Sequence, residues 1–166
     1  MILRFLRLAP AAAGALAAAL ALVATPAPVL AADTPEPAPP RATDPLAAAR
    51  QAIAAKRWPA AITELRKVNA GSSADWNNLM GYALRKQATP DLEGAQRHYD
   101  AALRIDPNHR GALEYAGELA LMKGDLPTAE ARLAVLVRVC GSGCEERTDL
   151  ERGIARFKAN GNRWQP

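Results

Sequence analysis

Strand patterns are absent from this sequence. No stretch alternates β-branched and polar residues as a half-buried strand does, and aromatic residues make up only 5% of the 166. Alanine is abundant instead, which suits close helix packing through small side chains, so the expected fold class is all-α. Catalytic signatures are missing too. No serine sits in a nucleophile-elbow context, no glycine-rich loop would cradle a phosphate, and there is no HExxH pair. A non-enzymatic protein without a cofactor is therefore expected. Charge of one sign is not gathered into a stripe either, so no nucleic-acid partner is expected.

What is present begins with an N-terminal segment of a different kind. Arg4 and Arg7 precede an Ala/Leu-rich run from Leu8 to Ala24, and Val29-Leu30-Ala31 supplies small residues suited to signal peptidase. Residues 1–31 read as a cleaved signal peptide, which places the mature protein in the periplasm or outside the cell, away from the membrane. The alternative is a retained anchor, since the apolar run approaches the ~20 residues that span a bilayer. Cleavage removes two arginines and lowers the formal charge from +4 to +2. Residues 32–45, with five prolines, read as an extended linker.

From Asp44-Pro45 onward the apolar residues recur at helical spacing. Helix pairs are expected over 46–69, 75–105 and 109–138, then a Cys-x3-Cys loop and a capping helix over 139–161, and a tail, 162–166. Trp58, Leu92 and Leu126 stand 34 residues apart, as do Ala61, Ala95 and Ala129, then Leu65, Tyr99 and Leu133, then Val68, Ala102 and Leu136. A 34-residue period of paired helices is the mark of a tetratricopeptide array.

On these residues the chain resembles the tetratricopeptide repeat family over roughly residues 44–138. Gly81, Ala95, Tyr99, Ala102 and Pro107 match the motif in the central copy, and Gly117, Gly124 and Ala129 in the third. The first copy is degenerate, with Ala49 in the glycine's place. The central inter-helix turn, Gln87 to Asp91, is about two residues longer than usual, with Thr89 expected to cap the next helix and Pro90 to open it.

The resemblance implies an α-solenoid of about three pairs whose concave groove takes an extended peptide or helix of another protein. Carried across, its inward positions are Arg50, Asn78, Tyr82, Arg85, Lys86, Glu114, Glu118 and Leu121. Such a set suits hydrogen bonding to a mixed-charge peptide; the alternative is that it only solvates one face. The lysine and asparagine set with which chaperone-binding members clamp a terminal carboxylate is lacking. Self-association is a further alternative, because three repeats are near the minimum for a stable array.

Cys140 and Cys144 are the remaining chemical candidates. Two glycines between them permit a disulfide, which in an exported protein would fix the direction of the last helix. The alternatives are free thiols, redox activity or metal handling, the last lacking nearby ligands. His98 and His109 are expected as surface residues. Ser142 with Glu145 reads as a capping box for the last helix, Glu145-Glu146 offset its macrodipole, and Gly161 ends it.

Overall fold

The computed structural model describes residues 44–165. The expected signal peptide and most of the linker lie outside the described residues. Within them the chain forms seven α-helices and no strand: α1 (Ala47–Ala54), α2 (Trp58–Val68), α3 (Ala74–Lys86), α4 (Leu92–Ile105), α5 (Arg110–Met122), α6 (Leu126–Cys140) and α7 (Glu145–Ala159). The all-α expectation holds. None of these helices is long and apolar enough to cross a membrane.

The 34-residue period is visible in where the even-numbered helices begin. Trp58, Leu92 and Leu126 each open one of them, and Ala61, Ala95 and Ala129 each have no exposed surface. Asp91 and Asp125 cap α4 and α6, accepting hydrogen bonds from the Gly94 and Thr128 amides at 2.8 and 3.0 Å. Arg57, at the same position before α2, has no acceptor to offer.

The turns before these helices show why the central connection is longer. Lys56 and Gly124 occupy one register position, and both are left-handed, with φ of 54° and 80°. The turns close with Arg57 N donating to Ala52 O and Asp125 N donating to Ala120 O, each at 2.8 Å. The central copy has Pro90 there, and a proline cannot reach positive φ. The chain instead takes a five-residue break, 87–91, closed by Asp91 N donating to Leu84 O at 3.0 Å. The cap is therefore Asp91, not Thr89, and Pro90 lies before α4 rather than inside it.

Consecutive helices pack as α1 on α2, α3 on α4 and α5 on α6, with further contacts of α3 on α5 and of α7 on both α5 and α6. One buried cluster joins α1, α2 and α3 around Leu65, Trp76 and Met80. A second, between α4 and α5, holds Tyr99 and Leu119. A third gathers Leu113, Leu121, Leu136, Leu150 and Phe157 from α5, α6 and α7. Gly81 and Gly117 mark close approaches between helices. A Cβ on Gly81 would lie 2.7 Å from Tyr99 Cε1, and one on Gly117 would lie 2.7 Å from Leu150 Cδ2.

At the end of the chain, the N-cap of α7 is Cys144, whose Sγ accepts from Arg147 N at 3.4 Å. The expected Ser142–Glu145 capping box does not form, because the turn leaves Ser142 two residues outside the helix. Gly161 does terminate α7: its φ is +67°, and Asn162 N donates back to Phe157 O at 2.9 Å.

Candidate functional site

Side chains mostly from α1, α3, α5 and α7, with Val139 of α6 and the turn before α5, line one open cleft of about 740 Å³. Four of the expected groove residues meet in it: Arg50, Asn78, Tyr82 and Glu114. Arg85, Lys86 and Glu118 line a neighbouring depression with Met122, Arg156 and Trp164. Leu121 is a correction: it has no exposed surface and belongs to the core between α5 and α7, its Cδ1 lying 3.5 Å from where a Cβ of Gly153 would stand.

One wall of the cleft is held by a chain of polar contacts through Asp75, which the periodicity gave no reason to single out. Arg50 Nη2 donates to Asp75 Oδ2 at 3.1 Å. His109 caps α5, its Nδ1 accepting from Ala112 N at 3.1 Å, so the ring hydrogen sits on Nε2 and is donated to Asp75 Oδ1 at 2.9 Å. The His109 hydrogen bond, with a further contribution from Arg50 against partial burial, holds the Asp75 carboxyl below the ordinary carboxylate range. His109 is thus a structural cap rather than a loose surface residue.

His98 departs from expectation in the same way. It is half-buried, with Nδ1 3.0 Å from Asn77 Oδ1 and its ring edge against Trp76, and burial pushes its pKa below the ordinary value.

The floor is aromatic. Tyr82 stacks on Tyr115 with ring centroids 4.6 Å apart and meets the edge of Trp58 at 5.7 Å. Arg85 lies behind this pair, 5.6 and 5.4 Å from the two ring centroids, and Nη2 donates to Glu118 Oε2 at 2.6 Å. Its side chain is nearly fully buried, so it is a strut between α3 and α5. Tyr115 is not among the residues expected to line a groove.

The deep end is acidic. Glu114 is 7% exposed, and burial first, then the nearby charges of Glu118, Asp149 and Glu146, push its carboxyl up to about 8. Glu145, Glu146 and Asp149 reach the same cleft from α7. The sequence offered α7 as a cover for the last repeat; the structure also makes it a wall of the cleft.

Cys140 and Cys144 are bridged, with Cα atoms 5.5 Å apart. The bridge ties the last residue of α6 to the N-cap of α7 and so sets how α7 leaves α6. Glu146 offers a carboxylate oxygen within 4.8 Å of both sulfurs. A bridged pair has no thiolate to give a metal, so as they stand the three do not make a metal site.

Compared with known proteins, the chain matches no family model, and no curated protein is detectably similar to it.

Proposed function

We propose that the helix pairs stack as a tetratricopeptide-type solenoid, and that the cleft is the concave groove in which an exported, non-enzymatic adaptor holds an extended segment of another protein. The observation that carries this reading is the composition of the cleft. Its walls come mostly from α1, α3, α5 and α7 together, the first helices of successive pairs plus the terminal helix. A surface assembled from several helices in succession fits an extended segment better than a compact metabolite. Tyr82 and Tyr115 supply a rigid apolar floor, and Asn78 an amide able to meet a peptide backbone.

A photo-crosslinking side chain placed at Tyr82 tests the reading in the living cell, with one at Thr63, exposed on α2, as the comparison. Adducts to a defined protein are expected at Tyr82 and not at Thr63. Equal labelling at both positions, or none at Tyr82, would remove the groove as the binding surface. N-terminal sequencing of the protein recovered from the periplasm tests export, with Ala32 expected as the first residue.

A further inference from the structure

The unanswered chemistry of the cleft is one-sided. Six carboxylates line it against two arginines and one histidine, although the chain as a whole carries +4. Asp75 is answered by Arg50 and His109, Glu146 by Arg110, and Asp149 by Arg152. Glu114, more than nine-tenths buried, has no hydrogen-bond or ion-pair partner among the described residues. Asn78 is equally buried, and its Oδ1 has no partner either. Both groups line the cleft; Asn78 Oδ1 is an acceptor lacking a donor, and Glu114 becomes purely an acceptor only when it gives up its proton.

A carboxyl group in such a place is costly to ionise, since burial strips much of its water and the charges beside it are mostly negative. A glutamine or leucine there would serve stability better, so Glu114 is placed as a group awaiting a ligand would be. The missing ligand must donate hydrogen bonds and bring positive charge. We infer that the deep end of the cleft, between α3, α5 and α7, receives a lysine or arginine side chain of the partner segment, with Glu114 as its counter-charge, Asn78 Oδ1 as a second acceptor, and Glu145, Glu146 and Asp149 as the surrounding field. This rests on the groove reading above and adds the chemistry of the partner.

The groups that face Glu114 make the match conditional on protons. Glu118 on its own helix and Glu146 and Asp149 on α7 oppose its ionisation, Arg85 on α3 favours it, and the nearby phenols of Tyr82 and Tyr115 are neutral. With the Glu114 carboxyl pushed up to about 8, an arriving cation displaces its proton at neutral pH. Binding then strengthens as pH rises through the neutral range, while the lysine or arginine stays charged.

The test uses the purified full chain and three fluorescent, end-capped octapeptides, in which alanine alternates with lysine, glutamine or glutamate. The lysine peptide is expected to bind with Kd below about 1 mM, and the other two at least about tenfold more weakly. Glu114→Gln is expected to weaken the lysine peptide about tenfold and to abolish the pH dependence, while Glu64→Gln, on α2, changes neither. The exchange keeps the side chain's size and its neutral state at neutral pH, so the variant folds. Lysine-peptide affinity unchanged in Glu114→Gln would overturn the inference. So would glutamine or glutamate peptides binding as well as lysine; if Tyr82→Ala then abolished that binding, the groove reading would survive without the cation. No peptide binding at all would overturn it too, and a dimer that Glu114→Gln converts to monomer would give the cleft to a second copy instead.

Discussion

Arg85 of α3 and Glu118 of α5 meet at 2.6 Å, with their side chains only 4% and 20% exposed. The pair joins two helices that belong to successive copies, and it lies beneath the aromatic floor of the cleft. Removing the carboxylate alone leaves a buried guanidinium without a counter-charge. Glu118→Gln is expected to cost about 3 kcal/mol, read from the midpoint of urea unfolding. Arg85→Met with Glu118→Leu is expected to stay within about 1 kcal/mol of the parent, because both desolvation penalties vanish with the pair.

Gly81 sits against the ring of Tyr99, which has no exposed surface, and 3.1 Å from the Ala95 carbonyl if a Cβ is added. Neither the ring nor the backbone can yield cheaply. Gly81→Ala gains about 1 kcal/mol of helix propensity and loses about 1–3 kcal/mol to overpacking. A net loss of about 1–2 kcal/mol is expected, read as a lower Tm in thermal unfolding.

Lys56 and Gly124 make the same left-handed turn in the first and third copies. A lysine in that region is strained by about 1 kcal/mol relative to glycine. Lys56→Gly is therefore expected to stabilise by up to about 1 kcal/mol, and Gly124→Ala to destabilise by a similar amount. Paired chemical unfolding curves decide it: equal and opposite shifts are expected, and shifts of one sign would refute the equivalence.

Glu114 sets a pH dependence with a definite sign. Its carboxyl titrates near 4.5 when unfolded and about 8 when folded. The folded chain keeps a proton that the unfolded chain gives up, so the contribution is fully present below about pH 4.5 and is lost as pH rises towards 8. The slope reaches at most about 1.4 kcal/mol per pH unit. Glu114→Gln is expected to flatten the stability profile between pH 4.5 and 8 and to leave the protein more stable at its upper end. An unchanged profile would show the carboxyl to be ionised in the folded protein.

The Cys140–Cys144 bridge closes a very short loop, so its effect on the unfolded chain is modest. Cys140→Ser with Cys144→Ser is expected to cost about 1–2 kcal/mol. Serine at 144 keeps an N-cap acceptor for the Arg147 amide, so the loss reads the bridge and not the cap. Hydrogen exchange is expected to rise first in α7, which the bridge orients.

The common register of the even-numbered helices was legible in the sequence because its information is local. Ala61, Ala95 and Ala129 recur at 34 residues, and each has no exposed surface. The close approach at Gly81 was legible for the same reason, since a glycine at a helical core position marks a neighbour that leaves no room for a Cβ. Local signals misled where two candidates competed within a few residues. Asp91 took the cap from Thr89, and Cys144 took it from Ser142, because the preceding turn decides which side chain can reach the free amides.

Which charges face one another was decided by tertiary structure alone. The family resemblance put Glu114 among the expected inward positions but carried no record of what stands opposite. Burial first, and then the charges of Glu118 and of Asp149 and Glu146, which the packing of α7 on α5 and α6 brings close, raise its carboxyl to about 8. Likewise Leu121 and Arg85 were expected inward together with Glu114 and Tyr82, yet helix contacts bury Leu121 in the core and Arg85 against Glu118. Repeat spacing fixes which residues share a face of a helix. Solvent access, and the desolvation that tunes a charge, depend on the neighbouring helix, which no single repeat encodes.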